Sequence, residues 1–122
     1  MTLEKEAGIF IEQLQRAYLE ERDMEAVLAA LDEKVSWIGT GEKEICNNLG
    51  EAAVLLSAEK RECPRGFRLM NTEYNVYPLT EELCAVYGTM TAVSDDSRIA
   101  DIYDRFSAVC KRTEKGMSIP EG

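Results

Sequence analysis

The sequence contains no histidine. That absence excludes the usual side chain for proton transfer near neutral pH, the commonest metal ligand, and the imidazole-based pairs and triads that activate nucleophiles. Basic residues are scarce as well: 14 Lys and Arg against 23 Asp and Glu leave a net charge of −9. Phosphate binding draws on Lys and Arg, so this balance argues against nucleic acid as a partner and against an anionic membrane surface. No apolar run is long enough to span a bilayer, and the N-terminal Met1-Thr2-Leu3-Glu4-Lys5-Glu6 lacks the basic start and apolar core of a signal peptide. The four cysteines, Cys46, Cys63, Cys84 and Cys110, form no C-x-x-C pair, and no histidine can complete a mixed zinc site. These observations predict no metal, no cofactor, a cytoplasmic location, and reduced thiols packed as small hydrophobes.

What is present suits one domain spanning 1–122, long enough to bury a core without staples. The acidic excess is concentrated at the start, where Met1 to Glu33 read as a solvated helical face. Leu3, Ala7, Phe10, Ile11, Leu14 and Tyr18 recur at helical spacing, with Thr2 placed to cap the start and Glu12 to pair with Arg16. Asp23 opens a second helix with the stripe Met24, Val27, Leu28 and Leu31. Val35-Ser36-Trp37-Ile38 is a short strand closed by Gly39-Thr40-Gly41, a turn rather than a phosphate loop. A third helix is expected from about Glu44 to Glu62, stopped by Pro64.

From Phe67 the period becomes strand-like. Phe67 to Tyr77, Leu83 to Val93 and Ile99 to Arg112 are rich in β-formers, and their links are short enough for antiparallel hairpins. Thr113 to Gly116 reads as a last turn, followed by only Met117-Ser118-Ile119 before Pro120. Helices first and strands later predict an α+β fold, with three N-terminal helices packed on a strongly curved antiparallel sheet whose last strand is shortened. A shortened strand predicts an unpaired edge near Met117 to Ile119.

This order resembles the SnoaL-like members of the nuclear transport factor 2-like superfamily. The paired helices, the run Asp32-Glu33-Lys34-Val35-Ser36-Trp37-Ile38-Gly39-Thr40-Gly41, the third helix and the hairpin run ending Arg105-Phe106-Ser107-Ala108-Val109-Cys110 carry the resemblance. It implies a cone-shaped fold with a pocket between sheet and helices, and homodimers formed through the open sheet face. It does not choose a function, because the superfamily holds isomerases, hydrolases, cyclases and dehydratases beside adaptors, association domains and sensory modules. The His–Asp pair of cyclase-like members has no counterpart here.

Strict alternation puts Ile99, Asp101, Tyr103, Arg105 and Ser107 on one face of the last long strand. Ala100, Ile102, Phe106, Ala108 and Cys110 lie on the other face, interrupted by Asp104. The apolar set suits packing on helices, and the polar set suits a pocket or an interface. On that reading Asp101 and Tyr103 are the candidate catalytic pair, a carboxylate base and a phenol donor oriented by Arg105. Trp37, Tyr87 and Arg105 are the candidate ligand-binding residues, with Arg105 also favoured by the resemblance. The leading expectation is a non-catalytic domain that binds a small molecule or a protein partner, as in a sensory module of bacterial signalling. The alternatives are a small isomerase, hydrolase or dehydratase working without histidine, and a purely structural association module.

Overall fold

The computed structural model describes residues 2–38, 45–96 and 98–121. Helix α1 (Leu3–Gln15) runs directly into a π-helical turn, Arg16–Glu20. Thr2 caps α1 by accepting from the Lys5 amide, and Arg16 bonds Glu12 at 3.1 Å, both as the spacing predicts. Helix α2 (Met24–Ala30) is capped by Asp23, which accepts from the Ala26 amide. Strand β1 (Leu31–Ile38) follows at once, so Leu31 begins the strand instead of closing the helical stripe. A short β2 (Ile45–Cys46) precedes α3 (Leu49–Glu62), which starts later than Glu44 because Asn48 is its cap, accepting from Glu51. Gly39-Thr40-Gly41, Glu44 and Ser97 lie outside the described residues.

Strands β3 (Arg68–Pro78), β4 (Leu83–Val93), β5 (Ile102–Thr113) and β6 (Gly116–Glu121) complete a six-stranded sheet ordered β2-β1-β6-β5-β4-β3. The architecture is the expected α+β arrangement, with two corrections. The sheet is mixed, because β6 returns beside β1 in parallel. And β6 extends past Ile119 through Pro120, paired to β1 on one side and β5 on the other, so it is no edge. Pro120 lacks an amide to donate, and both pairings of β6 shift register around it, as a proline inside a sheet requires. The unpaired stretch belongs to β5: its contacts with β6 begin at Val109, so Ile102 to Ala108 have no neighbour on that side among the described residues.

The core lies between helices and sheet. Ala7, Ile11, Val27, Leu56, Val35, Val86, Cys84, Cys110 and Ile119 are all fully enclosed there. Two glycines allow close approach. A Cβ on Gly88 would stand 2.0 Å from the Glu73 carbonyl where β3 carries an irregularity in register, and one on Gly66 would stand 1.8 Å from the Glu20 carbonyl. Gly66 therefore lets the end of α3 fold against the π turn, a contact held by the Phe67 amide on the Leu19 carbonyl at 2.7 Å.

Candidate functional site

A cleft of about 670 Å³ opens between the helices and the sheet. Ile11, Leu14 and Tyr18 line it from the first helix and the π turn, and Met90, Ala92, Phe106 and Ala108 line it from β4 and β5. Trp37 of β1 and Ile119 of β6 close one flank, and Glu59, Glu62, Cys63 and Phe67 close the α3 side. The walls are mostly apolar, with a few polar groups set among them.

Those polar groups are placed by tertiary contacts. The Tyr18 hydroxyl donates to the Glu59 carboxylate. Its ring stands 6.0 Å from that of Trp37, tilted by 38°. The Arg22 guanidinium lies 5.6 Å from the same Tyr18 ring and donates to three backbone carbonyls, those of Tyr18 at 3.0 Å, Cys63 at 3.1 Å and Glu59 at 3.2 Å. Arg22 is only 5% exposed and has a positive φ of 53°, a left-handed conformation that lets the chain double back after the π turn. A buried cation at a turn, bonded to both the π turn and α3, fixes that corner of the cleft. Opposite it, Asp104 enters from β5 beside Met90, half-buried and without a hydrogen bond or ion pair among the described residues.

The residues singled out in the sequence separate into two sets. Trp37 borders the cleft. Asp101, Tyr103 and Tyr87 do not: all three are exposed, Tyr103 to 83%. Tyr103 lies opposite Thr91 and Tyr87 opposite Ser107, in the outer row of the sheet away from the helices. Arg105 lies in that same outer row opposite Thr89 and is exposed, yet it borders the cleft, at the part of β5 that has no β6 neighbour. The apolar face of β5 does pack toward the helices, and in this architecture the helix-facing side is also the pocket side. The carboxylate that β5 brings to the cleft is consequently Asp104, whose signal in the sequence was its intrusion into an otherwise apolar row. Tyr18, Arg22 and Glu59 carried no such local signal, since their contacts join residues 37 and 41 positions apart.

The four cysteines are free. Cys84 and Cys110 face each other across β4 and β5, both buried. Burial, and then the neighbouring Cys84, push the Cys110 thiol up to about 12; burial and Glu4 raise Cys84, against a smaller opposing pull from Arg112. Neither is a reactive thiolate. No group of His, Cys, Asp and Glu able to hold a metal ion occurs among the described residues.

Solved structures share this fold. A nuclear transport factor 2-like protein of unknown function from Pseudomonas putida superposes with a TM-score of 0.79 at 13% identity, covering 97% of this chain and 82% of that one. A protein of unknown function with a cystatin-like fold from Nostoc punctiforme gives 0.78 at 14% identity over 99% and 91%. A candidate dehydratase of the nuclear transport factor 2-like family from Streptomyces avermitilis gives 0.77 at 16% identity over 97% and 91%. The chain thus has the nuclear transport factor 2-like fold. No family model and no curated protein sequence matches it.

Proposed function

We propose that this chain is a domain that binds a small, largely apolar molecule in the cleft between the helices and the sheet. The observation that carries the reading is the cleft itself. Its volume of about 670 Å³ falls in the range of ligand pockets, and its apolar walls with few polar groups are the usual make-up of such sites. The exposure of Asp101 and Tyr103 favours binding without chemistry at that pair. Binding of this kind, in a single domain of the cytoplasm, is what a sensory module needs. The test is titration with N-phenyl-naphthylamine, a neutral dye that brightens in apolar surroundings. Saturable binding of one dye per folded chain is expected, and no saturable binding would overturn the reading.

A second reading rests on Asp104. A carboxylate facing the cleft without a partner is a candidate general base for an isomerase, hydrolase or dehydratase. Under that reading Asp104→Asn abolishes turnover of a bound substrate while leaving its affinity in place.

The outer sheet face supports a homodimer. Tyr77 and Tyr87 are 62% and 50% exposed there, beside the still more exposed Tyr103. Glu73 and Arg105 flank Thr89 across the strands, so a two-fold contact can pair acid with base. In this arrangement Tyr87, Tyr103 and Arg105 act at an interface. No helix among the described residues is long and apolar enough to cross a membrane.

A further inference from the structure

Two buried side-chain polar atoms have no hydrogen-bond partner among the described residues: Trp37 Nε1 and Ser118 Oγ. Only Trp37 borders the cleft. An indole N–H can donate and nothing else, and it cannot turn away as a hydroxyl can, so burial without an acceptor leaves it unsatisfied. The guanidinium of Arg22, also in the cleft wall, lies against the same Tyr18 ring that neighbours Trp37. Its three bonds all go to neutral backbone carbonyls, and none of the ion pairs among the described residues involves it. A guanidinium has five N–H groups. Among the described residues, three bonds leave two of them without an acceptor, and the positive charge has the Tyr18 ring beside it but no ion-pair partner, in a nearly water-free position.

We infer that the cleft selects an apolar molecule ending in an anionic acceptor such as a carboxylate, with that end received by Trp37 Nε1 or the Arg22 guanidinium. This rests on the reading of the cleft as a ligand site and adds the chemistry of what it takes. The polar groups divide by depth. At the Tyr18 corner the buried Trp37 N–H has no acceptor and Arg22 has N–H groups to spare among the described residues, a demand that a molecule entering the cleft can meet. Asp104 is half-exposed, and water completes its hydrogen bonds without a ligand. Glu62 is exposed, and Glu59 is already engaged by Tyr18. The unmet demand inside the cleft is therefore for an acceptor. The net charge of −9 opposes an incoming anion, but at physiological salt it is screened beyond about 8 Å and acts mainly on the approach.

The test compares three probes with one skeleton in calorimetry or in displacement of the neutral dye: phenylpropionate, phenylpropylammonium and propylbenzene. Phenylpropionate should bind about tenfold or more tightly than phenylpropylammonium, since a charge-assisted bond replaces an unmet one. Trp37→Phe or Arg22→Gln should narrow that ratio, and Trp37→Phe keeps the test available if Arg22→Gln fails to fold. If all three probes bind alike, or the ammonium binds best, the anion preference is overturned while the cleft remains a ligand site. If none binds or displaces the dye, the cleft reading falls and this inference falls with it.

Discussion

The Tyr18 hydroxyl donates to the carboxylate of Glu59, joining the π turn to α3 across 41 residues. The bond holds the Tyr18 ring, which neighbours both Trp37 and Arg22, and so fixes one corner of the cleft. Tyr18→Phe keeps the ring and leaves a half-buried carboxylate short of a donor. Urea denaturation should show a loss of about 1–2 kcal/mol, the cost of an unmet hydrogen bond at a half-buried group. An unchanged midpoint would mean that the bond contributes nothing to stability.

Gly66 lies where the chain leaving α3 crosses the π turn. Its Cβ position is 1.8 Å from the Glu20 carbonyl, which is backbone and cannot swing aside. Gly66→Ala should push the two segments apart, loosening the Phe67–Leu19 bond and the grip of Arg22 on the Cys63 carbonyl. The expected loss is about 2 kcal/mol or more, the scale of overpacking against a fixed neighbour. Thermal unfolding with no drop in midpoint would contradict that placement.

The buried thiols predict a pH dependence. In the folded chain Cys110 is pushed up to about 12 from an ordinary value of 9.0. Between those values the unfolded chain has released this proton and the folded chain still holds it. The unfolded state then binds fewer protons, so stability falls as pH rises from 9.0 towards 12. Below 9.0 the group is neutral in both states and has no effect. Cys110→Ala should flatten this alkaline slope relative to the parent chain. Alkylation in the native state should modify Cys63, which is only half-buried, well before Cys84 and Cys110. Equal rates for all the thiols, or an unchanged slope, would contradict this description.

Much of the fold is legible in the sequence because periodicity reports which faces are buried. The caps at Thr2 and Asp23, the strand from Leu83 to Val93 and the alternation along β5 all follow from local pattern. The site is less legible, and β5 shows why. Polarity identifies Tyr103, Arg105 and Ser107 as one face, but a polar face can equally be a solvated one. The pocket lies on the apolar side, because the helices that cover that side also wall the cavity. Asp104 was visible there as an exception to the pattern. Trp37 could be read from its strand. Tyr18, Arg22 and Glu59 could not, since each owes its role to partners brought together only by folding. The parallel return of β6 beside β1 is likewise a long-range fact, which a strand of six residues interrupted by Pro120 does not announce.

The outer sheet face gives a prediction about assembly. Tyr87 and Tyr103 are exposed on adjacent strands, and Tyr77 lies on the neighbouring one. A stable contact there needs roughly 1,000 Å² of buried surface in total. Sedimentation at micromolar concentration should find a dimer of the 13.7 kDa chain, and Tyr103→Glu with Tyr87→Glu should convert it to monomer without unfolding it. A monomeric parent chain would refute the dimer.

The central claim is that the cleft between helices and sheet is a ligand site. Trp37, the only tryptophan, borders that cleft and can pass excitation energy to bound N-phenyl-naphthylamine. The decisive measurement is dye emission excited through Trp37, in the parent chain and in Ala108→Phe, which places a ring inside the cleft. The account predicts saturable, tryptophan-sensitised emission in the parent chain and its loss in a variant whose circular dichroism is unchanged. Sensitised emission that persists undiminished in folded Ala108→Phe, or dye binding without transfer from Trp37, would contradict it.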